Sequence, residues 1–290
     1  MTLCGFEIAP GEKRQVKLPV PGSEPLEAWL LCGTHPGKTL VVTAGVHGCE
    51  YVGILALQKL VETLDCAALC GQVILLPLVN PKGFFAGVKQ LNPADGKNLN
   101  REFPGREDGT ETQRMAWAIE NILYPEADFL LDLHGGDWNE ELTPLVFFPC
   151  GAGQTVEQET RRAAQALSVS MRVCSTARNG LYSWAAQKGI PALLLERGGN
   201  GRWASEEVEA DCEDDSSDEL SWNHRRGFWN NPSGGNRESC LRRISGGGVL
   251  VPGSLRWAGS AKRYTAGQVE KYRWNAEPRD SCKICRAGFV

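Results

Sequence analysis

What the 290-residue sequence lacks narrows its class before any motif is considered. No apolar run approaches the ~20 residues that cross a bilayer, so no membrane partner is expected. Met1 to Val20 holds no basic segment followed by a long apolar stretch, so no secretory signal is visible and a cytoplasmic location is expected. Positive charge is not in excess. The 31 Lys and Arg stand against 35 Asp and Glu, for a net charge of −4, which argues against a nucleic-acid partner held by phosphate neutralisation. Histidine is scarce, at 4 residues. Cysteine is not, at 11, but without an export signal these thiols fit a reducing compartment better than a disulfide framework. Cys282 and Cys285 form a C-x-x-C whose second pair is missing nearby, so they read as incidental thiols and not as a zinc ribbon. Disorder of the whole chain is excluded by 42 % hydrophobic and 23 % charged residues.

What is present falls into two grammars. Up to residue 209, apolar runs alternate with amphipathic stretches. Strands are expected at Arg14 to Val20, Ala28 to Cys32, Thr39 to Val46, Val73 to Val79, Phe129 to Leu133, Leu145 to Phe148 and Pro191 to Leu195. Helices are expected at Glu50 to Leu64, at Thr110 to Leu123 and Thr155 to Leu167 with capping-box spacings to Gln113 and Gln158, and at Ser183 to Lys188. Uninterrupted apolar strands alternating with helices imply an α/β domain over 1–209. Its central sheet is mixed but mostly parallel, with helices on both faces.

Residues 210–290 read differently. Roughly 12 of the last 80 are Leu, Ile, Val or Phe, below the ~20 % at which a core fails to form. Arg, Gly and Ser supply roughly 29 of them, and Trp222, Trp229, Trp257 and Trp274 recur without period. Two readings stay open: a poorly ordered polar region, and a stretch translated out of frame, since random codons enrich Arg, Ser, Gly, Trp and Cys.

Four short motifs carry chemistry. In Gly45-Val46-His47-Gly48-Cys49-Glu50, a buried strand gives way to a helix, and His and Glu three apart point the same way if the helix starts there. An imidazole and a carboxylate are two of the three ligands of a catalytic zinc, and equally the furniture of a polar loop. Asp132-Leu133-His134-Gly135-Gly136 ends a strand and offers a third nitrogen at the carboxyl edge of the sheet, with Asp132 on the same face to orient it. Asn98-Leu99-Asn100-Arg101 is a loop whose amide and guanidinium suit a carboxylate, and equally a polar loop with a surface arginine. In Leu195-Glu196-Arg197-Gly198, a carboxylate directly follows a buried strand. It is either a general base beside a metal or the partner of Arg197.

Taken in this order, the four motifs resemble the succinylglutamate desuccinylase/aspartoacylase family of zinc amidohydrolases, related to the zinc carboxypeptidases. The resemblance covers about Leu40 to Trp203. It implies a zinc-carboxypeptidase-like fold with one Zn2+ per chain, held by His47, Glu50 and His134. It implies Asn100 and Arg101 as the substrate-binding pair, Glu196 as the general base, and a small-molecule N-acyl amino acid as substrate, hydrolysed at its amide bond by metal-activated water. The sequence departs from the family in two places. The segment before Asn98 has Lys89 and Lys97 where some members carry a further arginine that polarises the scissile carbonyl, and the tail lacks the pattern of the family's β-rich C-terminal domain. A carboxypeptidase-type peptidase remains an alternative. So does a metal-binding, non-catalytic protein, if the tail is truncated or frame-shifted.

Overall fold

The computed structural model describes residues 2–203 and 205–216. The expected change of composition after 209 falls within its last helix, and the rest of the 210–290 region, with both readings of it, lies outside the described residues. A small hairpin of β1 (Thr2–Leu3) and β2 (Phe6–Glu7) precedes β3 (Lys13–Leu18), β4 (Leu26–Cys32) and β5 (His35–Ala44). Then follow α1 (Tyr51–Thr63), β6 (Cys70–Leu76), α2 (Pro81–Ala86), α3 (Glu111–Ala118), β7 (Phe129–His134) and β8 (Leu145–Pro149). The chain closes with α4 (Gln154–Ala166), β9 (Met171–Ser175), α5 (Leu181–Gln187), β10 (Ala192–Glu196) and α6 (Ser205–Ser216).

Eight strands form one sheet in the order β3-β4-β6-β5-β7-β10-β8-β9. The pairs β6–β5, β5–β7, β7–β10 and β8–β9 are parallel, while β3–β4, β4–β6 and β10–β8 are antiparallel. The expected mixed, mostly parallel sheet is therefore present. Its centre is dry on both sides: all six residues of β7 are buried. Alternation sends Leu130 and Leu194 into a core with Ile119, Leu123 and Leu181, and Leu131, Leu133, Leu193 and Leu195 into a second with Leu57 and Leu60 of α1.

Several expectations move. The helix expected from Thr110 is regular only to Ala118 and continues as a wider turn over Ile119–Leu123; Gln113 still accepts from the Thr110 N–H (3.1 Å). Thr155 does not cap α4, which starts one residue earlier after Gly153. No side chain caps α4; Glu157 instead ties down the preceding turn, accepting from the Gly151 and Ala152 N–H groups (2.6 and 3.1 Å). The cysteine expectation is also modified locally, because Cys150 and Cys174 form a disulfide between β8 and β9 with Cα atoms 5.8 Å apart. No described helix is long and apolar enough to cross a membrane.

Candidate metal centre

The central strands β5, β7 and β10 are parallel, so their carboxyl ends open on one edge of the sheet, where open α/β sheets place their sites. At the end of β5 the chain leaves through Gly45 (φ +66°), a left-handed position where a Cβ would sit 2.8 Å from Leu78 Cδ1. The Val79 and Asn80 N–H groups donate to the Ala44 and Gly45 carbonyls (2.9 and 2.8 Å), tying this exit to the segment after β6. Gly48 then passes so close to α2 that a Cβ would lie 2.3 Å from the Gly83 backbone. His47 and Glu50 are buried by this path, at 8 % and 7 % exposure.

Glu50 stands at the N-cap of α1, one residue before the helix, and makes no side-chain capping bond. Its carboxylate reaches over the sheet edge instead. Oε1 lies 2.6 Å from His47 Nδ1 and Oε2 lies 2.9 Å from His134 Nδ1. Oε2 also accepts from the Gly135 N–H (3.2 Å). The two imidazole centroids are 4.9 Å apart.

His134 is the last residue of β7, two after Asp132 and on the same face. Its Nε2 lies 3.0 Å from Asp132 Oδ2, and Asp132 Oδ1 accepts from the Thr43 hydroxyl (2.7 Å) on the neighbouring strand β5. Glu196 is the register partner of His134 on β10, placed beside it by the parallel ladder. Arg197, the alternative partner for Glu196, donates from Nη2 to the Ser168 carbonyl (3.5 Å).

Electrostatics separates these acids. Burial alone would raise the Glu50 carboxyl, but His134 and His47 outweigh it and bring Glu50 down to about 2. Burial likewise opposes charge on His134, yet the Asp132 and Glu50 carboxylates hold that imidazole well above its usual range. Glu196 goes the other way: burial pushes it up to about 8, His134 opposing and Glu50, Asp132 and Glu140 adding to the rise.

These residues fit a divalent cation. His47, Glu50 and His134 are all buried, each offers one ligand atom, and those atoms lie within 4.8 Å of one another. The Nε2 of His134 donates to Asp132, so its Nδ1 presents a lone pair to the Glu50 carboxylate at 2.9 Å unless it too is protonated. Two electron-rich atoms at that distance require positive charge between them, from a proton or from a metal.

The remaining expected residues lie in the adjoining turn. Asn100 is buried, and its Oδ1 accepts from the Leu181 N–H (2.9 Å) at the start of α5. Arg101 is exposed, with Nη1 2.6 Å from the Asn100 carbonyl. The turn meets the ligands through Asn98, whose Oδ1 is 3.2 Å from His47 Nε2. Both lysines before the turn are engaged, Lys97 with Glu102 (3.0 Å) and Lys89 with Asp137 (3.0 Å) and Asn139. Lys89, Gln90, Asn92 and Asp137 help line a cavity of about 460 Å3. Sequence reasoning passed over Thr43 and Asn98 as site residues. The signal for Asn98 was its place two before Asn100, the spacing of an Asx turn.

Residues 36–213 match the family model described as the succinylglutamate desuccinylase/aspartoacylase catalytic domain. An N-alpha-acetyl-L-2,4-diaminobutyric acid deacetylase from Halomonas elongata is 42 % identical over 110 residues, 38 % of this chain and 32 % of that protein. A succinylglutamate desuccinylase from Silicibacter sp. TM1040 superposes with a TM-score of 0.64 at 27 % identity, covering 71 % of this chain and 66 % of that one. The product-bound ectoine utilization protein EutE (DoeB) from Ruegeria pomeroyi gives 0.65 at 26 % identity, with 71 % and 67 % covered. The chain thus spans about a third of the curated relative and about two thirds of these solved chains.

Proposed function

The chain belongs to the succinylglutamate desuccinylase/aspartoacylase family, and from that premise we propose that it hydrolyses the amide bond of an N-acylated amino acid with one divalent cation, zinc by the nature of its donors, held by His47, Glu50 and His134. The observation that carries this reading is the convergence of two imidazole Nδ1 atoms on the two oxygens of one buried carboxylate, at 2.6 and 2.9 Å. Two nitrogens and a carboxylate are the ligand set of a catalytic zinc site that keeps a position open. A cation bound there supplies Lewis acidity, polarising a carbonyl and acidifying water.

The chain's own groups do the rest. Glu196, beside His134 on the next strand, takes the proton from the attacking water and returns it to the departing amine. Burial holds the Glu196 carboxyl up to about 8, and a divalent cation held by His47, Glu50 and His134 would favour the ionised form that accepts a proton. Arg101 and the free amide hydrogens of Asn100 hold the substrate carboxylate, so the acyl carbonyl is presented at the sheet edge in one orientation. The α5 cap fixes Asn100 for this task by occupying its oxygen.

Metal analysis of the purified full chain, paired with a screen of N-acyl amino acids, tests the reading. One equivalent of zinc with turnover of an acyl amino acid is expected. Preference for a short peptide with the same terminal residue moves the assignment to a carboxypeptidase. Zinc without turnover on any such compound moves it to a binding protein.

A further inference from the structure

The Cys150–Cys174 disulfide lies at the carboxyl ends of β8 and β9. β9 is the edge of the sheet, separated from β10 by β8. At the last register pair Pro149 stands opposite Ser175 and brings no N–H to the ladder. The Cys150 N–H donates to the Ser175 carbonyl just beyond it (2.8 Å). The disulfide therefore secures an edge strand at the point where its ladder runs out. Its two sulfurs are not equally accessible. Cys174 is exposed, whereas Cys150 is half-buried and packs against the second core.

The five residues that follow β9 lead directly to the substrate-binding pair. Residues 176–179 are exposed, and the Ala177 N–H turns back to the Ser175 hydroxyl (3.2 Å). Asn179 then grips the turn that carries the pair. Its amide donates to the Arg101 carbonyl (3.4 Å), and its own carbonyl accepts from the Phe103 N–H (3.3 Å). Gly180 passes so close to Asn100 that a Cβ would lie 2.4 Å from Oδ1, and the Leu181 N–H donates to that same oxygen (2.9 Å). One end of this short segment is fixed by the disulfide and the other by Asn100 and Arg101. The cation ligands hang from β7, the exit of β5 and the start of α1, so they do not depend on β9.

We propose that Cys150–Cys174 is a thiol–disulfide exchange site whose state sets how firmly Asn100 and Arg101 are held. The reactant is a dithiol. One of its thiolates attacks the exposed Cys174 sulfur, the bond to Cys150 breaks, and Cys150 leaves as a thiolate that takes up a proton. The second thiol of the reagent then displaces Cys174 from the mixed disulfide. Two electrons and two protons pass to the protein, and the reagent ends as a disulfide. With the bond closed, the segment is anchored and the pair is fixed. With it open, the end of β9 loosens, and substrate affinity falls while the cation stays bound. The consequence for substrate rests on the acyl amino acid reading above; the tether itself does not.

The test uses the full chain, with the bond closed by oxidised dithiothreitol or opened by the reduced form. Peptide mapping after alkylation reports which cysteines are joined. Because a dithiol also binds zinc, amide exchange is followed on the metal-free chain. Opening the bond is expected to speed exchange at Asn179 and Leu181 by about 10-fold, and reclosing it reverses the change. Cys150→Ser/Cys174→Ser is expected to exchange like the open form and to ignore the reagent. Loaded with zinc, that variant should keep its metal and its kcat and show a KM raised about 3–10-fold, the scale of one lost hydrogen bond. Thiols at both positions after oxidation, or exchange at Asn179 and Leu181 that ignores the opened bond, overturns the proposal. That comparison needs no variant, so a misfolded double variant does not shelter it. If neither form hydrolyses any acyl amino acid, the functional reading falls, and the exchange response alone decides the tether.

Discussion

His134 and Glu196 stand on neighbouring strands, whereas His47 and Glu50 stand in a loop and at the start of a helix. The strand-borne pair is placed by ladder register, with Asp132 and Thr43 locked behind His134 in the same parallel stack. The loop-borne pair depends on a glycine exit and on an amide from a turn about fifty residues away. Backbone ladder hydrogen bonds set where the first half's residues stand, and the Asp132 side chain then aims the His134 ring. The second half is only as well placed as the contacts between its loops.

The largest expected effect tests the strand half. Glu196→Gln should keep its zinc and lose at least ~100-fold in turnover; hydrolysis at the original rate would remove Glu196 from the mechanism. Next comes a direct contest between the halves. Asp132→Ala strips a fully buried charged acceptor from His134 and should weaken zinc binding by up to about 100-fold, more than Asn98→Ala does at His47. The opposite ranking in a chelator titration would mean the loop sets the affinity.

A third effect appears in the metal-free chain. The Glu196 carboxyl is raised from 4.5 to about 8 in the fold, so the unfolded chain gives up this proton first as pH rises. The stability it contributes is complete below about 4.5 and lost as pH climbs through about 8. Urea midpoints measured with a chelator present should fall between pH 5 and pH 8, and the fall should shrink in Glu196→Gln. A variant with an unchanged slope would show that the carboxyl is not held in its neutral form. The smallest effect belongs to Thr43→Val, which removes one buried hydroxyl from a charged acceptor and should cost about 2 kcal/mol in urea unfolding. A loss near zero would mean that Asp132 is oriented by His134 alone.

How much of this was legible in the sequence follows the same division. Apolar runs such as Leu40 to Ala44, Phe129 to Leu133 and Ala192 to Leu195 announce buried parallel strands because every residue meets a core, and the observed strands contain them. The same runs located His134 and Glu196, since a polar residue closing such a run has to sit at the sheet edge. β9 carries no strand signal in the sequence, because its edge position leaves Met171 and Arg172 exposed and gives no apolar pattern. α2 is too short to show a helical period, although Asn80 before Pro81 is a cap followed by a favoured first residue, and its side chain does accept from the Gly83 N–H (2.9 Å). Thr155 does not cap for a local reason: Gly153, two residues upstream, takes the N-cap position, so Thr155 already lies inside the first turn. Thr43 and Asn98 could not be recognised as site residues by spacing alone, because each acts on a partner dozens of positions away, chosen by strand order in one case and loop closure in the other.

The exit through Gly45 has a consequence for anyone wishing to transplant this candidate cation site into another scaffold. His-x-x-Glu is four letters, but its shape is borrowed. It needs a left-handed residue immediately upstream, Leu78 crowding that residue, and Val79 and Asn80 fastened to the carbonyls before it. A grafted tetrapeptide would keep the donor atoms and lose their aim. The smallest portable unit is two strand ends and the loops that leave them.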